Sequence, residues 1–408
     1  MNFKQLFTRS LGADPGRLHF AAHSHHLWPD ASYEAQIQAW NDAARLADRK
    51  WDKIMEEIWP EAQAEVASEL GTDMSEDVVF APNTHEFLVR LVSALPASPV
   101  RILTSDGEFH SARRQLARWE EAGTVIVERI PVEPFGNFGE RFVQAAQQGS
   151  YHLVFVSHVM FATGRIFDRI EELAEFAQPN GPWIVIDGYH AFMALPAPLG
   201  RDTAERTHQT PASSSGRTEG QSRPVKSANN AFYLGGGYKY AMSGEGCAFM
   251  HAPQGFGPRP AITGWFAEFE DLSLPPGSIG YAKDARRFLG ATFDPSGLYR
   301  FVAVRRMLRK EGLTTKHISD YVDVLQQKLL GSLHQTPLAT AELLNPLDGA
   351  THGRFLAFRS SKAQHWHAAL SASNCITDVR GDVLRIGFGL YQDAADVERL
   401  VGLLGKLA

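Results

Sequence analysis

The chain has 408 residues, 44% hydrophobic and 21% charged, a balance that excludes wholesale disorder and asks for more than one small core. Forty Lys and Arg against 46 Asp and Glu leave a formal charge of −6, so no basic face recommends a nucleic acid or an anionic membrane as partner. The start, MNFKQLFTRSLGADP, lacks a long apolar core and a small-residue cleavage site, and no uncharged apolar run reaches the roughly 18 residues of a spanning helix; the expectation is a cytoplasmic protein.

Residues 33–51 place Trp40, Ala44, Ala47 and Trp51 at helical spacing, and 60–70 open on Pro60 and close before Gly71. Strand-like runs then alternate with helices: VVFAP (78–82), helix 84–95, VRILT (100–104), helix 109–122, TVIVERI (124–130), HLVFVS (152–157), helix 168–177 and WIVID (183–187). Near-continuous apolar strands in a βαβα rhythm predict an α/β fold with a mostly parallel sheet covered by helices. The stretch 201–229, rich in Ser, Thr, Gly and charge, reads as a mobile surface insertion. Strands AFYLGGG (231–237) and CAFMHA (247–252) follow, then helices near 296–311 and 315–333. RFLAFRS (354–360), CITDV (375–379) and VLRIGF (383–388) alternate with further helices, as in a small α+β domain. The expected division is an amino-terminal segment 1–50, a large domain 51–295 and a small domain 296–408.

Open α/β sheets bind ligands beyond the carboxyl ends of their strands, so polar residues at strand ends are the informative ones. WIVID ends on Asp187, followed by Gly188, Tyr189 and His190, and AFYLGGG runs into Tyr238 and Lys239. A strand-end carboxylate and a strand-end lysine suit pyridoxal 5'-phosphate: its pyridine nitrogen needs an anionic partner and its aldehyde an amine, here as a Schiff base with Lys239. Asn83 and Thr84 stand between a strand and a helix, where free N–H groups favour a phosphate or where Asn83 is a simple N-cap. Phe109, at the next such junction, could stack on the ring or serve the core. His19, His23, His25 and His26 crowd one segment, but no Cys accompanies them and a strand points neighbours to opposite faces, so a substrate-site or surface loop is read in place of a metal site. GGGYK lacks the spacing of a phosphate-binding GxxxxGK loop, and no strand–GxGxxG–helix unit is present.

From about residue 19 to 400 the chain resembles the fold-type I pyridoxal-phosphate enzymes of aminotransferase class V, and among them kynureninase. DGYHA (187–191) is similar to the family's Asp-x-x-His, and GYKY to its Tyr-Lys pair. ATG (162–164) resembles its Thr-Gly turn, GWF (264–266) a Gly-Trp loop reaching the active site, and TDVRGDVLRIGFGLY (377–391) the kynureninase carboxy-terminal motif. The resemblance implies cofactor contacts from Asn83, Thr84, Phe109, Thr163, Asp187, His190, Tyr238, Lys239, Trp265 and Thr292, with Lys239 and Asp187 catalytic. It implies that Arg385 clamps the substrate α-carboxylate, with Ser24 and His25 beside the substrate. It further implies a homodimer that shares its active sites across the interface.

The departures bear on the substrate. His23-Ser24-His25-His26 stands where the family has Asn-Ser-Leu-Gly, Thr292 where kynureninases carry an Asn near the aryl side, and Met160 where an Asn is common. The expected activity is kynureninase-like hydrolysis of a Cβ–Cγ bond, with transamination or a β-lyase reaction on another amino acid as the alternative. A cysteine desulfurase is disfavoured, because Cys375 lies in a predicted strand and not on a mobile loop.

Overall fold

The computed structural model describes residues 2–200, 228–271, 277–347 and 352–407. In chain order the strands are β1 (Leu18–His19), β2 (Val78–Ala81), β3 (Val100–Ser105), β4 (Val125–Ile130), β5 (Leu153–Ser157), β6 (Trp183–Asp187), β7 (Phe232–Gly236), β8 (Ala248–His251), β9 (Glu342–Leu343), β10 (Phe355–Arg359), β11 (Cys375–Ile376), β12 (Asp378–Arg380) and β13 (Val383–Gly387). Seven of them form one sheet in the order β2-β8-β7-β6-β5-β3-β4. Only β8 runs against the rest. The carboxyl ends of β2, β3, β5, β6 and β7 therefore open on one edge, and the turns that follow them gather there.

Burial explains why these strands read as unbroken apolar runs. Every residue of β2, β5, β7 and β8 is buried, as expected of strands packed on both faces. The edge strand β4 shows the contrast: Val125 is buried, while Glu128 and Arg129 face water. Helices Trp59–Leu70, Thr84–Ala94, His110–Glu121 and Phe138–Gln148 pack against the sheet.

A small antiparallel sheet, β12-β13-β10-β9, organises the carboxy-terminal part. Helix Ala363–Ala372 packs on β13, and Ala394–Leu404 packs against Thr315–Gly331. The fold is thus a large, mostly parallel-sheet α/β domain with a small α+β domain. The amino-terminal segment stitches itself to the small domain: β1 pairs with β11 through Leu18 and Cys375, and Ala21 bridges to Gly387.

Four differences from the sequence reading have local causes. The helix expected over 33–51 is Asp30–Leu46, stopped where Ala47 takes φ +48°; short helical turns then lead to Trp59–Leu70. CITDV is two strands, since β11 pairs with β1 whereas β12 pairs with β13. The helix expected over 168–177 is only Ile170–Ala174. Helix Phe138–Gln148 is an addition, formed by burial of Phe138, Phe142, Val143 and Ala146 on one face. The stretch 201–229 lies outside the described residues as far as position 227.

Ile184, fully buried in the middle of β6, holds the strand that carries Asp187. Ile184→Ala is expected to destabilise the fold by about 2–5 kcal/mol. The measurement is the urea midpoint, which should fall with an unchanged slope; an unmoved midpoint would mean that this strand is not core.

Candidate active site

At the shared strand edge lies a cavity of about 340 Å³. Asn83, Thr84, Phe109, Asp187, His190, Tyr238 and Lys239 line it, from four different strand-to-helix or strand-to-loop junctions. Sequence positions more than 150 apart meet because the parallel sheet brings every such turn to the same edge.

Lys239 follows β7 by three residues, across a turn that only glycine allows. A Cβ on Gly236 would stand 2.4 Å from the Tyr189 hydroxyl, and one on Gly237 would stand 2.2 Å from Ser243 Oγ and 2.9 Å from the Gly244 carbonyl oxygen. The amine is buried, donates to the His23 carbonyl oxygen at 2.8 Å, and lies 3.0 Å from His190 Nε2. Burial, with the Arg385 charge adding to it, lowers its pKa to about 7. The same burial holds His190 well below the usual imidazole range, so its ring is neutral and Nε2 can accept from the ammonium. The Phe109 ring centroid is 6.0 Å from Lys239 Nζ.

Asp187 ends β6 and accepts from the Tyr189 N–H at 3.0 Å. Desolvation raises its pKa, and both the Tyr189 bond and the Lys239 charge oppose that rise. Asn83 caps helix Thr84–Ala94 by accepting from the Glu86 N–H at 3.1 Å, so its side chain serves the cap while the first-turn N–H groups remain for an anion. His85, the next residue along and also in the cavity wall, has a buried Nδ1 without a hydrogen-bond partner among the described residues.

Other expected residues lie further out. His25 stacks on Tyr238 at 5.1 Å and approaches Glu245 at 3.8 Å, while the Ser24 N–H donates to the Ala21 carbonyl. Thr163 Oγ1 accepts from the Arg165 N–H at 3.3 Å, away from the cavity wall. Trp265 Nε1 donates to Thr292 Oγ1 at 3.0 Å, and neither residue lines the cavity of this one chain. Arg385, central in β13, sits behind Phe161: its guanidinium donates to the Phe161 carbonyl and to Asp378, and its buried Nε has no partner among the described residues. The cavity wall does not include it.

Two more buried residues stand beside the cavity: His23, read from the sequence as part of a substrate-site or surface loop, and Glu108, which sequence reasoning passed over. His23 is fully buried, stacks on Phe355 at 4.5 Å, and has no hydrogen-bond partner at either ring nitrogen among the described residues. Glu108 is fully buried between Ser105 and Ser157. Burial pushes its carboxyl up to about 7 against the hydrogen bonds it accepts. The available signal was position: Glu108 is an acid at a strand end, immediately before the aromatic residue of the site.

Residues 32–201 match the aminotransferase class-V family, and residues 323–404 match the kynureninase C-terminal domain. Over those spans the chain is similar to the pyridoxal-phosphate-dependent enzymes of aminotransferase class V, with a carboxy-terminal part of kynureninase type. Its fold is similar to that of the cysteine desulfurase from Thermococcus onnurineus NA1, at 18% identity and a TM-score of 0.75 over 100% of this chain and 98% of that one. It is likewise similar to the cystine C–S lyase C-DES in complex with cysteine persulfide, at 15% identity and 0.76 over 98% and 100%. The cysteine desulfurase CsdA from Escherichia coli follows at 14% and 0.74 over 99% and 97%. At these identities the likeness shows the fold alone. No curated protein sequence matches the chain.

The donor set fits that cofactor: a buried amine of lowered basicity, a strand-end carboxyl, a helix amino terminus and an aromatic wall meet around one cavity. Because the deprotonated amine is the nucleophile, covalent attachment of added pyridoxal phosphate to the cofactor-stripped enzyme should quicken as pH rises to about 7 and then level off. Stopped-flow absorbance checks this; a rate still climbing about tenfold per pH unit toward 10 would reveal an amine of ordinary basicity.

Proposed function

We propose that the enzyme is a kynureninase-like hydrolase that cleaves the Cβ–Cγ bond of an L-kynurenine-type amino acid. The observation that carries this reading is the kynureninase C-terminal match over 323–404, which includes β13 and Arg385. The reaction adds water at the γ-carbonyl, breaks the Cβ–Cγ bond and protonates Cβ, giving alanine and an aryl carboxylate.

In this reading Lys239 would hold the cofactor through its amine, Asp187 would be the anionic partner of the pyridine nitrogen, and Phe109 would offer an aromatic wall to the ring. Thr84, the helix terminus it opens and Tyr238 would hold the phosphate. When bound, the cofactor supplies an electron sink for the bond electrons released at the substrate. Lys239 Nζ then carries protons to and from the substrate, a task suited to an amine that titrates near neutrality. His190 Nε2, 3.0 Å away, orients it. Arg385 would recognise the α-carboxylate, for which its fork geometry is suited, by exchanging its present partners, the Phe161 carbonyl and Asp378.

The second reading is transamination or β-lyase chemistry on another amino acid. Thr292 bonded to Trp265 favours it, because an Asn near the aryl side is absent there. Use of a protein thiol is not supported: Cys247 and Cys375 are both buried, and burial pushes each thiol up to about 12.

We further propose a homodimer. Tyr33, Ile37 and Trp40 recur at helical spacing on Asp30–Leu46 and are 46%, 43% and 69% exposed, an apolar stripe of the kind that a second copy covers. Trp265 and Thr292 are the residues that this reading sends toward the neighbouring site.

Two measurements test these readings. Loaded enzyme is expected to release anthranilate and alanine from L-kynurenine, Lys239→Ala to release none, and Arg385→Lys to lose about a hundredfold in kcat/KM; cofactor attachment without release would sink the hydrolase reading and leave the second. Ile37→Glu together with Trp40→Glu is expected to move the particle from dimer to monomer by light scattering, and a wild-type protein that is itself monomeric would end the dimer reading.

A further inference from the structure

The carboxyl edge of the sheet holds a buried acid that the reaction does not use, Glu108. Glu108 has no exposure to solvent, yet its carboxyl is fully engaged. Ser105 Oγ donates to Oε1, the Ser157 N–H donates to the same oxygen at 3.2 Å, and Ser157 Oγ donates to Oε2 at 2.5 Å. Ser105 is the last residue of β3 and Ser157 the last of β5. Glu108 therefore ties two neighbouring strand ends together where the backbone ladder between them has already stopped, since β3 and β5 pair only at Ile102–Leu153 and Leu103–Val154.

Both neighbours of this clamp belong to the cofactor's seat. Ser157 lines the cavity and stands in register with Asp187 on β6. Phe109, the residue after Glu108, starts helix His110–Glu121 from an extended conformation (φ −62°, ψ 149°) without a capping side chain of its own. Its backbone direction at this junction is thus set by what holds Glu108. Loss of the carboxyl would leave the Ser157 hydroxyl and N–H without this partner and Ser105 Oγ with the Gly107 N–H, from which it accepts at 3.2 Å, which is costly enough to keep the clamp closed.

We propose that Glu108 is a positioning residue for the pyridoxal ring: by clamping Ser105 to Ser157 it fixes the spacing between Asp187, which meets the ring nitrogen, and Phe109, which covers the ring face. The inference rests on the reading of this cavity as the cofactor's seat. It assigns Glu108 no contact with the cofactor and no proton transfer. The interaction that matters is the pattern of hydrogen bonds, and a glutamine reproduces it: the amide oxygen accepts from Ser105 Oγ and the Ser157 N–H, and the amide NH₂ donates to Ser157 Oγ, which can turn to accept.

The test compares Glu108→Ala, Glu108→Gln and Ser157→Ala with the parent, each reconstituted with pyridoxal phosphate. Visible-region circular dichroism of the bound cofactor reports the ring's seat, far-ultraviolet circular dichroism the fold, and titration the cofactor affinity. Glu108→Ala is expected to keep the fold, lose more than half of the visible ellipticity per bound cofactor, and bind about tenfold more weakly; Glu108→Gln should stay within about twofold of the parent. A Glu108→Ala protein with parental ellipticity and affinity overturns the proposal, as does a Glu108→Gln protein as impaired as Glu108→Ala. Should Glu108→Ala fail to fold, Ser157→Ala decides alone: reduced ellipticity supports the clamp, and parental ellipticity overturns it. A parent protein that never attaches the cofactor would instead overturn the reading of the cavity.

Discussion

Burying one lysine is the constraint on which the rest of the site depends. An ammonium group removed from water is costly unless it is paired or gives up its charge, and Lys239 does some of each. Its amine reaches the His23 carbonyl and His190 Nε2, and its pKa falls to about 7. To bring it there the chain uses consecutive glycines at the end of β7, because any side chain at Gly236 or Gly237 would overlap Tyr189 or the Ser243–Gly244 turn. The parallel sheet then delivers Asp187, Phe109 and Thr84 to the same edge. The chemistry follows from that placement: an amine near neutrality can attack a carbonyl and later carry a proton, which an ordinary solvated lysine does poorly at pH 7.

The Arg385–Asp378 pair is a second buried charge, resolved in a different way. Arg385 keeps its proton, and Asp378 on β12 answers it directly across the antiparallel ladder from β13. Asp378 also pairs with Arg380 at 2.7 Å, and His23 Nε2 lies 3.8 Å from it. Such a cluster is weak as a source of stability, since desolvation offsets most of the attraction. Its persistence inside the small sheet is better explained by a task that needs a fixed cation close to Lys239, whose pKa Arg385 helps to lower. A carboxylate-bearing substrate is the ligand that such a cation suits.

Much of this was legible in the sequence, because the features involved are local. Strand runs such as WIVID and AFYLGGG declare their type through unbroken apolar residues, and the polar residue where each run stops marks the site edge: Asp187 and Lys239 were found in this way. The helix terminus at Thr84 has a cap in its own sequence. Arg385 was named through a motif, but its burial behind Phe161 depends on contacts across 224 positions, which no local pattern carries. The burial of His23, which was named only as part of a substrate-site or surface loop, and Glu108 altogether were missed for a related reason. A histidine in a run of histidines and an acid among polar neighbours look like surface residues, and only the pairing of β1 with β11 and the meeting of β3 with β5 bury them.

The amino-terminal segment shows how the two sheets come to share one site. Leu18 and His19 lie along β11, Ala21 bridges to Gly387, and two residues later the His23 carbonyl receives the Lys239 amine. The His26 N–H then donates to the Tyr238 carbonyl at 3.1 Å, on the same turn that carries the lysine. A short extended strap thus touches the small sheet at one end and the lysine turn at the other. Its ring at His23 fills the gap between Phe355 and Gly387 so closely that a Cβ on Gly387 would fall 2.0 Å from Nδ1. In a core packed at that density, displacement of the small sheet is not absorbed locally but is passed to the groups touching it. The position of the lysine amine is for that reason a property of both domains, although every atom that lines its cavity belongs to the large one.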